Sequence, residues 1–84
     1  MSQSQLKAME MSMPQYTVTL YDFRAKPPSV SLPQTVEAPE PLSAARQLTD
    51  EALVLNGHFA NLVAEVTRFE GKELAQRVML YRKP

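Results

Sequence analysis

The stretch that decides the fold is NLVAEVTRFEGKELAQRVMLYR, residues 61–82, which reads as one interrupted helix or as two strands joined by a turn. Glu, Ala and Leu are frequent enough to allow the helix. Against it stand Val63, Val66, Thr67 and Phe69, β-branched or aromatic residues of low helical preference, and the central Gly71. Polar and apolar residues alternate on both sides of Glu70-Gly71-Lys72, which is the strand period. The hairpin is therefore the expected structure.

Parity then tests the loop. A two-residue loop would place Leu62, Ala64 and Val66 opposite Met79, Arg77 and Ala75, turning Arg77 toward the buried side. A three-residue loop sets Leu62, Ala64 and Val66 with Leu74, Gln76, Val78 and Leu80, and leaves Glu65 and Arg77 together on the opposite face. Gly71 suits the left-handed position of such a loop. The three-residue loop is expected.

Working outward, Gln15 to Phe23 is the clearest single strand, with Tyr16, Val18 and Leu20 alternating with Thr17, Thr19 and Tyr21. Lys26-Pro27-Pro28 ends it, because proline cannot donate to a ladder. A loop runs to Pro33, and Gln34 to Ala38 forms a short antiparallel strand suited by Glu37 and its flanking prolines to a sheet edge. Pro39-Glu40-Pro41 then opens a helix expected over Pro41 to Leu55. Leu42, Ala45, Leu48, Ala52 and Leu55 would make its apolar stripe and Asn56-Gly57 its stop. Residues 1–13 read as a disordered tail, leaving 14–84 as one domain. The expected fold is α+β, in the order β-β-α-β-β, a small antiparallel sheet with one helix on one face. The pattern is generic to many small bacterial and phage proteins and contains no diagnostic motif.

Composition bounds the function. With 44% hydrophobic and 21% charged residues the chain belongs with folded rather than disordered proteins. Its 84 residues allow one small core, worth no more than ~3–5 kcal/mol of net stability. No cysteine is present, which excludes disulfides, thiolate metal sites and thiol nucleophiles and makes the cytoplasm the default compartment. Met1 to Ser12 holds no apolar run of signal-peptide length, and no segment is apolar enough to span a bilayer, so no membrane role is expected. Nine basic residues balance nine acidic ones, which argues against non-specific attraction to nucleic acid.

Catalysis is disfavoured by inventory. His58 is the single histidine and follows the helix stop, where an exposed loop histidine is the simplest reading. The carboxylate pairs Asp50-Glu51 and Glu70 with Glu73 fall on expected solvent-facing positions, whereas general acid–base chemistry needs one desolvated partner. Neither glycine precedes a helix, which excludes a phosphate-binding loop. No enzyme, metal site or cofactor is expected.

One feature stands above background. If the helix covers the side of Val18, Leu20, Leu62, Ala64, Val66, Val78 and Leu80, the other side carries Thr17, Thr19, Tyr21, Phe23, Val63, Glu65, Thr67, Phe69, Ala75, Arg77, Met79 and Tyr81. The water-facing side of an antiparallel sheet is ordinarily polar. Tyr21, Phe23, Phe69, Arg77, Met79 and Tyr81 are instead the residue types enriched in interface cores. Three readings compete: a surface that binds protein, including a second copy; a single-stranded nucleic-acid site using Arg77, Arg82 and Lys83; and ordinary core covered by the tail or the 24–34 loop. The first is the expected function, the second its alternative.

Overall fold

The computed structural model describes residues 13–84. Its elements run β1 (Gln15–Asp22), β2 (Ser29–Val30), β3 (Gln34–Glu37), α1 (Pro41–Arg46), β4 (Leu53–Val54), a 3-10 turn (Phe59–Asn61), β5 (Leu62–Glu70) and β6 (Glu73–Arg82). All strand pairs are antiparallel, and the sheet order is β2-β1-β5-β6-β4, with β3 beside β2 on the outer edge of β1. The fold class is thus the expected α+β arrangement, with two very short strands added. The tail read from residues 1–13 falls, apart from exposed Met13, outside the described residues.

β2 and β3 are one returning strand interrupted at Ser31-Leu32-Pro33. Ser31 keeps the ladder across the break: its N–H donates to Leu20 O at 2.8 Å, and its Oγ accepts from Leu20 N at 2.9 Å. Ser29 to Gln34 therefore runs along the sheet edge.

The centre of the sheet is three strands wide. Val18 sits opposite Val66, and Val66 opposite Val78; Leu20 sits opposite Ala64, and Ala64 opposite Leu80. Val18, Val66 and Leu80 are the largest fully buried side chains. Over them lies α1, which brings Ala44 and Ala45 onto the sheet. Small side chains there let the helix backbone come close.

The helix ends at Arg46 rather than Leu55. The N–H groups of Gln47 and Leu48 turn back to Ala44 O and Ala45 O, tightening the last turn, and Gln47 Nε2 donates to Glu37 O at 2.7 Å. Thr49 Oγ1 accepts from Glu51 N, a local bond that competes with helix. The remaining residues join the sheet instead: Leu53 pairs with Arg82 and enters the core as β4, while Ala52 and Leu55 are left exposed. The apolar stripe read along residues 42–55 was shared between a short helix and a strand.

The β5–β6 hairpin keeps the expected parity, with Ala64, Val66, Val78 and Leu80 on one side and Glu65 and Arg77 on the other, but the three-residue loop is not formed and the register is shifted by two residues. Glu70 and Glu73 pair directly across a two-residue turn of Gly71 and Lys72. Gly71 has φ +64° and Lys72 does not have positive φ, the pattern of a type II′ turn. A bulge beyond it, where Arg68 pairs with Gln76 but Phe69 with Leu74, leaves Ala75 as the extra residue. The bulge restores the parity that keeps Arg77 off the core side. It also moves Leu74 to the side of Phe69, where both are 52% exposed. A second irregularity, between the Leu62/Tyr81 and Ala64/Leu80 pairs, makes Val63 the extra residue on β5. Val63 joins the core and Leu62 shares the side of Tyr81, reversing the expectation for both.

Leu80→Ala opens a void in the middle of the core and should cost ~2–5 kcal/mol, enough to leave the chain largely unfolded in urea titration at room temperature. Gly71→Ala has open space around the new methyl, so its cost of ~1–2 kcal/mol is a backbone cost alone. Gly71→Asn should recover most of it, as read from the urea midpoint.

Candidate functional site: the open sheet face

The face opposite α1 is built from alternate residues of β1, β5 and β6. The register places Thr17 opposite Thr67 and Thr67 opposite Arg77; Thr19 lies opposite Glu65 and Glu65 opposite Met79. At the centre is a polar cluster. Glu65 accepts from Tyr21 Oη at 3.1 Å through Oε1 and from Arg77 Nε at 2.6 Å through Oε2. Its two oxygens are thus divided between one phenol and one guanidinium. Burial pushes the Tyr21 phenol above its ordinary value, and the hydrogen bond to Glu65 pushes it the same way. Arg77 acts weakly in the opposite direction.

Around this centre lie the aromatics. Tyr21 stacks on Phe23 with ring centroids 5.7 Å apart and planes 8° from parallel. Phe59 meets Phe23 edge-on at 6.2 Å. His58 accepts from Ala60 N through Nδ1 and caps the 3-10 turn, so its loop reading holds. The 3-10 turn was not expected from the sequence, and Phe59, 67% exposed, is a member of this face that the pattern missed. The available signal was its short distance from Asn56-Gly57.

Gly57 explains how the chain reaches this side. After β4 the backbone crosses Tyr81 so closely that a Cβ on Gly57 would lie 2.7 Å from Tyr81 Cβ and 2.9 Å from Cγ. This crossing covers one end of the face and leaves Tyr81 half-buried. Tyr21, Phe23 and Met79 are also half-buried, while Arg77 and Phe69 are exposed. The six expected residues therefore share one side but form two groups: Tyr21, Phe23, Arg77 and Met79 about Glu65, with Tyr81 under the Gly57 crossing, and Phe69 with Leu74 near the hairpin turn.

Arg82 does not belong to this face. It pairs with Leu53 on the helix side, donating to Glu51 through Nε at 2.9 Å and Nη2 at 3.1 Å. The reason is strand alternation, which puts residues 77 and 82 on opposite sides. These bonds hold the Glu51 carboxyl below the usual range and raise Arg82 further. Arg24 adds a longer contact to Glu51 at 3.7 Å. The ion cluster lines an open groove of about 430 Å³ that also contains Asp22. Two acids and two bases cancel there, and among the described residues no group of acids and histidine is arranged to hold a metal. No helix of the described residues is long and apolar enough to cross a membrane.

Compared with family models, curated proteins and solved structures, the chain matches none.

The raised Tyr21 value has a defined sign. The fold favours the neutral phenol, so its contribution to stability is present below the ordinary tyrosine range and lost as pH rises through the folded value. In an ultraviolet pH titration the Tyr21 phenol should ionise above the ordinary tyrosine range. Glu65→Gln should bring it down toward that range while keeping an acceptor in place. Gly57→Ala, by contrast, should destabilise by ~1–3 kcal/mol through overpacking, and Tyr81→Gly in the same chain, which removes both the Cβ and the Cγ the new methyl would meet, should relieve the strain, seen as non-additive denaturation midpoints.

Proposed function

We propose that this protein is a non-catalytic interaction module whose open sheet face binds another polypeptide. The observation that carries the reading is the charge state of the face. Glu65 and Arg77 neutralise each other 2.6 Å apart at its centre, leaving a surface of phenol, thioether, phenyl and threonine groups around a satisfied ion pair. Such a surface is suited to a protein partner with its own apolar and hydroxyl-bearing side chains, since aromatic, Met and Arg contacts dominate interface cores.

The same observation weighs against single-stranded nucleic acid. Stacking on Tyr21 or Phe69 would need cations free to meet phosphates. Arg77 is engaged with Glu65, and Arg82 is engaged with Glu51 on the other side. Lys83 remains exposed at the chain end.

Immobilised protein should retain a discrete partner from a lysate of its native host. Phe69→Ser and Met79→Glu should each weaken retention about tenfold, while Arg46→Glu, on the exposed side of α1, leaves it unchanged. Titration with single-stranded oligonucleotides at two salt concentrations checks the alternative. Tight binding with a steep salt dependence would replace the protein-binding reading.

A further inference from the structure

The sheet has one protected edge and one open edge. On the protected side β2 and β3 are two and four residues long, and Pro28, Pro33, Pro39 and Glu37 punctuate them. Short strands, prolines and charge are the ordinary devices against edge-to-edge pairing. The other side is different. β6 is ten residues long, yet β4 pairs only with its Tyr81 and Arg82. From Glu73 to Leu80 the outer side of β6 pairs with no strand among the described residues. That stretch contains no proline and no lysine.

The polarity of the edge follows from one hydrogen bond. Lys83 N donates to Ala52 O at 2.8 Å, so the peptide group of residue 83 points outward. Alternation from there turns the N–H and C=O of Met79 and Arg77 outward as well, and the Ala75 bulge shifts the phase, so that beyond it Leu74 is the outward residue and can meet Arg77 of a second copy. A groove of about 360 Å³ runs beside this edge on the helix side, with Val78 and Leu80 along it, Pro41 and Leu42 across from them, and Leu55 at one end. Leu55 is 66% exposed.

We infer that the Glu73–Leu80 edge pairs antiparallel with the same edge of a second copy, joining the two sheets about a two-fold axis near Gln76. Several constraints point to a second copy. Among the described residues each chain has one long unpaired edge, interrupted only by the Ala75 bulge, so pairing consumes both and stops at two. The open stretch is bounded by the hairpin turn at one end and β4 at the other, so its midpoint falls near Gln76. Centred there, Glu73 lies at opposite ends of the two strands and meets no like charge. Arg77, close to the axis, carries its own counter-charge in Glu65 at 2.6 Å. A two-fold axis perpendicular to the sheet keeps both helices on one side, so the two grooves face each other across the new ladder and Leu42 and Val78 of each copy gain a shared cover. This surface is distinct from the open face, which stays free on the other side.

The test uses charge at the axis. Wild-type protein should sediment as a dimer. Gln76→Lys and Gln76→Glu, at a half-buried position opposite Arg68 that lines the helix-side groove, place like charges across the axis and should each raise the dissociation constant ~5-fold or more. An equimolar mixture of the two should recover dimer at or beyond the wild-type affinity, which no purely structural effect of either substitution reproduces; far-UV spectra confirm that both are folded. A wild-type chain that is monomeric at its highest soluble concentration overturns the inference. So does a mixture that associates no better than its components. A dimer insensitive to Gln76 charge but weakened by Phe69→Ser overturns it too, and moves self-association to the open face. Loss of the edge dimer leaves the partner-binding reading standing, because Phe69→Ser tests that reading on the other surface.

Discussion

Everything in this molecule depends on keeping three strands in step, so that Val18, Val66 and Val78 fall in one row and Leu20, Ala64 and Leu80 in the next. Side chains on a strand alternate with a period of two, so a slip of one residue would carry a whole row to the other face. The two bulges are how the chain holds that alignment against its own turn. A two-residue turn at Gly71-Lys72 alone would drive Arg77 under the helix, where an unpaired cation has no acceptor. Ala75, left unpaired, absorbs the mismatch, and Val63 does the same at the far end of the hairpin.

A small core follows from a small helix. Ala44 and Ala45 let α1 sit close to the sheet, but six residues cannot cover a face five strands wide. Burial is completed by Tyr16, Leu53 and Val63, drawn from both edges and a bulge. Among the described residues no element comparable to α1 lies over the opposite face; the Gly57 crossing and the 3-10 turn reach its end. The aromatic and thioether groups there are held by one another and by the Glu65 cluster. Apolar content without net charge is the chemistry of protein contact, and it shares this side of the sheet with few groups able to meet phosphate.

The two surfaces differ in kind. The open face offers side chains, so in the proposed role selectivity would rest on shape and on the Tyr21-Glu65-Arg77 hydrogen bonds. The β6 edge offers backbone, which any extended strand could match, and only symmetry and the position of β4 restrict what pairs with it. In a domain without disulfides, closing that edge both removes an aggregation risk and adds burial to a core whose largest fully buried side chains are Leu80, Val18 and Val66.

The residues by themselves determined the α+β class, the hairpin of residues 62–82, the parity that keeps Glu65 with Arg77, and the gathering of Tyr21, Phe23, Arg77 and Met79 on one side. Those are consequences of local alternation and turn chemistry, which are written in adjacent residues. Tertiary structure alone decided where the helix stops, because Leu53 is drawn into the core as a partner of Arg82 on the sheet. It alone decided the bulges that exchanged Leu62 with Val63 and brought Leu74 beside Phe69, since an extra residue in a ladder leaves no mark on composition. The same holds for Phe59 against Phe23 and Arg82 against Glu51, contacts between segments far apart in the chain that exist only once the sheet has brought them together.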